Sequence, residues 1–348
     1  MGARAKAHSL LMLAALGCGP PLPDPGIVRG ADLLQKSLFL ERTELGDVQS
    51  ISVEPSGPGA DGFILVAGTK AAAFVTRTGE VQRLVRFQDE MTTPVPIDIE
   101  GDGTLEFMDR GGGWQPVSVV SHDGRTLWRY EGRDLAAPNE MDAGDVDGDG
   151  LLEFVIGLNG SGGVLCLDRR GTTRWTAGGS NVFSVAILDV DVDGTPEVVH
   201  TTGGTIEVRD ASGKVVGTLQ PGFFIFATVS WPDPGATRRL MGETRGQLQI
   251  VDPGGTVLAR FDASGLRSDS PATPVLLAPG RPCFAVGSTI RATARRSRLK
   301  VFDPDAALVY EEVFDSADLP VAAIGDDGTG RGRLLVGSGP RVWSLRRR

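Results

Sequence analysis

The chain has 348 residues, among them 48 Gly and 22 Pro, and only 41% are hydrophobic. A chain of that length can bury a large core, but so many turn-forming residues favour short strands over helices. Its formal charge of -9 excludes a general nucleic-acid binder, which needs a basic footprint to release phosphate counterions.

Residues 1–17 read as an export signal. Arg4 and Lys6 precede an apolar run from Leu10 to Leu16, too short for a membrane span and followed by small residues suited to cleavage. At Ala15-Leu16-Gly17-Cys18 the chain resembles the lipobox of bacterial lipoproteins. That resemblance implies lipid attachment at Cys18 after cleavage. Gly19, in place of an acidic retention residue, implies the outer membrane, with the protein periplasmic or surface-exposed. Ordinary secretory cleavage that leaves Cys18 incidental is the alternative. No other segment is apolar and long enough to cross a bilayer, so membrane contact is expected through the lipid only. Residues 18–36, which include PPLPDPG, read as a Pro/Gly-rich tether, and 37–348 as one domain. Cys166 and Cys283, each inside an apolar run, read as inert buried thiols.

The domain repeats. Its first signature is an acidic loop ahead of an apolar strand, from Asp98 to Met108, Asp145 to Ile156 and Asp189 to Val199, at a period of about 45 residues. The second is a turn with an oxygen side chain three residues before Gly, at Thr76, Ser121, Asp168, Asp210 and Asp252; Asp303 continues it with Ala306 in the Gly position. These are the residue choices of a type I turn. The period-two apolar runs around them, such as Val164 to Leu167, Ile206 to Val208, Leu248 to Val251 and Leu299 to Phe302, read as hairpins. Four short strands in a repeat of this size make one propeller blade. The expected fold is therefore all-β, a β-propeller of seven four-stranded blades, with six as the alternative. The last repeat holds three strands before the chain ends. Its fourth is expected from Ser37 to Arg42, an N-terminal strand that closes the ring and covers its edge.

Four carboxylates within nine residues repel at about 1 kcal/mol per close pair even in water. A hard divalent cation offsets this: side chains at the first, third, fifth and ninth positions converge, the seventh offers a carbonyl, and Gly103, Gly150 and Gly194 at the sixth permit the sharp turn. At these residues the chain resembles the FG-GAP or VCBS repeats, calcium-loop propellers to which the integrin α-subunit head is related. The resemblance implies about three calcium ions. Asp98, Glu100, Asp102 and Glu106 would form one ligand set, Asp145, Asp147, Asp149 and Glu153 the second, and Asp189, Asp191, Asp193 and Glu197 the third, with carbonyls from Thr104, Leu151 and Thr195. The alternative is that these acids decorate solvated turns. Two later repeats keep an acid and place Arg at the last ligand position, so Arg239 with Asp233 and Arg333 with Asp327 are expected to replace the cation by an ion pair. The hairpin run from Val164 to Trp175 also resembles quinoprotein-type propeller repeats.

Connections in an antiparallel blade alternate between the two faces of the ring. The acidic loops and the hairpin turns therefore share one face, and ligand binding is sought on the other. That face is expected to carry 109–114, 159–163, 201–204 and 244–246, together with a longer segment from Gly287 to Leu299 that holds Arg291, Arg295, Arg296 and Arg298. The arginines are a candidate site for an anionic ligand, and Trp114 for stacking on a sugar. A solvated loop and a Trp that caps its blade are the alternatives. His122 and His200 have no evident catalytic partner, and no nucleophile elbow, phosphate loop or metalloprotease motif occurs. The expectation is a monomeric, non-enzymatic interaction module that binds protein or carbohydrate. Its alternatives are a quinoprotein-like scaffold for outer-membrane assembly and a calcium-dependent polysaccharide-active enzyme.

Overall fold

The computed structural model describes residues 30, 32–53, 62–112, 114–132, 136–230, 238–262, 272–275, 277, 283–290, 296–303, 305–324 and 332–348. They form seven four-stranded antiparallel sheets. The innermost strands of blades 1 to 7 are Val48–Val53, Pro94–Ile97, Pro138–Gly144, Val185–Leu188, Phe226–Ser230, Ala272–Val275 and Val321–Ile324. The seven-bladed expectation holds, and six is set aside.

Blade 3 illustrates how composition sets radial position. Its two middle strands, Glu153–Leu158 and Gly163–Leu167, are buried at every residue, whereas the outermost, Thr173–Ala177, is not. A strand covered on both faces reads as a continuous apolar run, and one covered on a single face alternates. The hydrophobic clusters lie between blades. Phe154, Ile156 and Leu165 pack with Met108, Val117 and Val119 of blade 2, while Val155, Val164 and Cys166 pack with Val185, Ile187 and Val198 of blade 4. Each blade thus completes its core only against its neighbours. Burial pushes the Cys166 thiol up to about 12, as an inert buried cysteine requires.

The ring closes as expected, with Leu34–Glu41 pairing antiparallel to Arg341–Arg347. This strand begins at Leu34, ahead of the anticipated Ser37. Lys36 donates to Glu312 on the outer strand of blade 6, and the Tyr310 hydroxyl donates to the same carboxylate. The Lys36 ammonium lies 5.0 and 5.1 Å from the ring centroids of Phe314 and Trp343. The closing strand is therefore tied to two blades.

Hairpin turns join the third and fourth strands. Gly171 and Gly213 each donate N–H to the carbonyl three residues earlier at 2.9 Å, and Ala306 occupies the same left-handed position with φ 65°. Glycine is required for a further reason in blades 3 and 4. The Trp128 and Trp175 indoles donate to Arg169 O and Ala211 O in the next blade's turn, at 3.1 and 2.9 Å. A Cβ on Gly171 or Gly213 would come within 3.0 or 2.7 Å of those rings.

Candidate metal loops and the opposite face

Each acidic loop joins the first strand of its blade to the second, so it emerges on the same face as the hairpin turns. The leading Asp folds each loop around itself. Asp98 accepts the N–H groups of Asp102 and Gly103 at 3.1 and 2.9 Å. Asp145 accepts those of Gly148 and Gly150 at 2.7 and 2.9 Å, and Asp189 those of Asp193 and Gly194 at 3.1 and 3.0 Å. At the ninth position, Glu106, Glu153 and Glu197 each spend one oxygen on the N–H of the second loop residue, Ile99, Val146 or Val190, at 3.1, 3.0 and 2.8 Å. The fifth-position residues Asp102, Asp149 and Asp193 accept the N–H of Thr104, Leu151 and Thr195 at 2.7, 2.8 and 2.8 Å.

The first, third and ninth positions remain to converge. Asp145, Asp147 and Glu153 place three carboxylate oxygens within 4.8 Å of one another, and so do Asp189, Asp191 and Glu197. Among the described residues the blade 2 loop, Asp98 to Glu106, does not gather in this way. The expectation of three equal ligand sets thus meets two gathered clusters. Both offer oxygen donors alone, the chemistry of a hard cation.

The three loops differ in the positive charge they meet. Arg169, from the blade 3 turn, pairs with Glu100 of the blade 2 loop. Arg174, on the outer strand of blade 3, pairs with both Asp147 and Glu153. Among the described residues no cationic side chain pairs with Asp189, Asp191 or Glu197. Burial pushes the Glu153 carboxyl up, while the Val146 N–H and Arg174 oppose the shift. Burial also raises Glu197; Val190 N–H opposes that, but Asp191, Asp193 and Asp189 add to it. The blade 4 loop also carries Val192 at φ 63°, where the other loops have Gly101 and Gly148 at φ 70° and 74°. A β-branched residue is strained there.

On the opposite face, residues next to the expected ligand loops hold the backbone. Buried Asp109 accepts N–H groups from Thr92, Thr93 and Gly111 at 2.8, 2.7 and 3.1 Å, and burial raises its carboxyl despite them. Asn159 accepts from Ala137, and Thr201 from Phe183 and Ser184. Trp114 is 65% exposed at φ 67°, so its ring is presented to solvent instead of packed on the blade. Phe224, also exposed, packs against Phe183 with ring centroids 5.1 Å apart and planes tilted by 36°.

The four-arginine group divides. Arg291 and Arg295 lie outside the described residues. Arg296 pairs with Asp315 at 3.2 Å. Arg298 must be corrected: the strand Ser297–Phe302 begins before it, and Arg298 is buried opposite Ser288 and paired with Glu311 at 3.2 Å. It is a buried strand residue, not part of an exposed basic insertion that could meet an anionic ligand. Cys18, Asp233 and Asp327 lie outside the described residues. Arg239 donates to Arg238 O at 3.3 Å, while Arg333 donates to Arg77 O and lies over the Phe39 ring.

His200 has both ring nitrogens in contact with polar partners. Arg209 Nε donates to His200 Nε2 at 2.8 Å, which leaves the ring proton on Nδ1 facing Thr201 O at 3.3 Å. Burial lowers its pKa. Sequence reasoning missed Arg174 and Arg169. The available signal was their position in a hairpin already assigned to the acidic face.

No family model and no curated protein matches the chain. Solved structures do. A streptogramin B lyase aligns over 92% of this chain and 99% of its own, with TM-score 0.54 and 13% identity. BBS1N in complex with ARL6DN aligns over 92% and 97%, with TM-score 0.52 and 11% identity. Virginiamycin B lyase from Staphylococcus aureus aligns over 90% and 98%, with TM-score 0.52 and 11% identity. At such identities the likeness is one of fold. Fold and loops together define a seven-bladed β-propeller with clustered carboxylates on one face.

Proposed function

We propose that the protein is a calcium-stiffened propeller of the FG-GAP or VCBS type, held by a lipid on Cys18 at the bacterial outer membrane. It acts as a monomeric, non-enzymatic interaction module for a protein or carbohydrate. The observation that carries the reading is the convergence of Asp189, Asp191 and Glu197 within 4.8 Å, on a loop with the spacing of a calcium site. These residues would hold the ion, which supplies the positive charge that three close carboxylates need. The acidic face is then scaffold, and the exposure of Trp114 and Phe224 supports the opposite face as the one that would meet a ligand. A protein partner is supported by analogy with BBS1N, whose structure contains ARL6DN.

Thermal melting of the full chain with calcium and then with chelator tests the ion. A midpoint that does not move removes calcium from the reading. Glycan-array and envelope-protein binding by Trp114→Ala and Phe224→Ala tests the face; loss of binding is expected, and unchanged binding places the ligand elsewhere. Metabolic labelling with palmitate, expected to vanish in Cys18→Ser, tests the anchor.

A further inference from the structure

The loops of blades 3 and 4 gather the same three positions, yet they differ in one neighbour. Arg174 lies six residues after the turn residue Asp168, on the outer strand of blade 3. It places Nη2 on Asp147 and Nη1 on Glu153, so its planar fork bridges two of the three gathered carboxylates. The corresponding residue of blade 4, six after Asp210, is Val216, and that of blade 2, six after Ser121, is Leu127; both are exposed. Arg174 thus supplies positive charge to the third and ninth positions, two of those that would hold an ion.

We propose that Arg174 is a built-in counter-ion of the blade 3 loop, which lowers its affinity for a divalent cation so that the blade 4 loop fills first. This rests on the calcium reading above. A cation must compete with the guanidinium for Asp147 and Glu153, each of which gives Arg174 one oxygen. The apparent affinity falls by the fraction of molecules in which it has left. Arg174 is 36% exposed, so the released side chain has water to enter. The blade 4 loop has no such competitor among the described residues.

Calcium titration calorimetry on the full chain tests this with four proteins: wild type, Asp191→Asn to disable the blade 4 loop, Asp191→Asn with Arg174→Val, and Asp191→Asn with Arg174→Lys. Wild type is expected to show one tight site, and Asp191→Asn only a weak one. Adding Arg174→Val should tighten that remaining site tenfold or more, and Arg174→Lys, which keeps the charge but not the fork, by less. Melting of each variant in calcium establishes that it is folded. Two equal sites in wild type would overturn the proposal. So would a folded double variant that binds no tighter than Asp191→Asn alone. In both cases the calcium reading stands, whereas a wild type that binds no calcium sinks that reading and this one together.

Discussion

Blades 3 and 4 carry nearly the same loop but differ in the side-chain charge that meets it. In blade 3, Arg174 offsets part of the charge on Asp147 and Glu153 from within the chain, and the blade beneath is apolar at Phe154, Ile156, Leu165 and Leu167. In blade 4 the loop has no side-chain cation among the described residues, and Val192 adds backbone strain. His200, Glu207 and Arg209 stand at the strand positions equivalent to Ile156, Leu165 and Leu167. A shared motif therefore does not imply a shared charge environment.

The largest expected effect separates the two ninth-position glutamates. In chelator, Glu153→Ala should cost about 3 kcal/mol in denaturant unfolding, because it removes the charged acceptor of the buried Val146 N–H and leaves that donor orphaned. Glu197→Ala should cost less than ~1 kcal/mol, since loss of the Val190 acceptor is offset by relief from three neighbouring acids. Equal costs would break the contrast. Next in size, calcium at a hundredfold excess over its dissociation constant should stabilise wild type by about 2.7 kcal/mol. Asp191→Asn should lose most of that gain, and full retention would move the principal site away from blade 4.

A smaller effect follows pH. The folded pKa of His200 lies below 6.5, so the unfolded chain takes up the proton first. The stability due to a neutral His200 is complete above 6.5 and is lost as pH falls from there toward the folded value, by up to about 1.4 kcal/mol per pH unit. His200→Gln should flatten the unfolding free energy measured across that window, and a parallel slope would exclude His200 as its source. The smallest change is Val192→Gly, which gives blade 4 the residue type of its neighbours. It should raise stability in chelator by roughly 1 kcal/mol through relief of strain, read as a higher denaturation midpoint, and a loss would show that the left-handed valine is well accommodated.

The fold was legible because its signals are local. The Asp168 and Gly171 turn, the alternation around it and the blade-sized period all lie within a few dozen residues. The closing strand was legible by subtraction, since a last repeat with three strands leaves an edge to cover. The candidate site was legible only in part. The spacing of Asp189, Asp191 and Glu197 marked a gathered cluster, but Asp102, Asp149 and Asp193 turned to their own loops' N–H groups instead. Arg298 looked like a member of a basic loop because charge runs carry no information on where a strand begins.

The sequence by itself determined the repeat, the strand chemistry and the acidic spacing, because each depends on residues adjacent along the chain. Only the tertiary structure decided which carboxylates have a cation. Arg169 meets Glu100 across 69 residues and Arg174 meets Glu153 across 21, and such distances close only when blades and strands are set side by side. Whether an acidic loop is answered by a side-chain cation is a property of the ring, not of the motif.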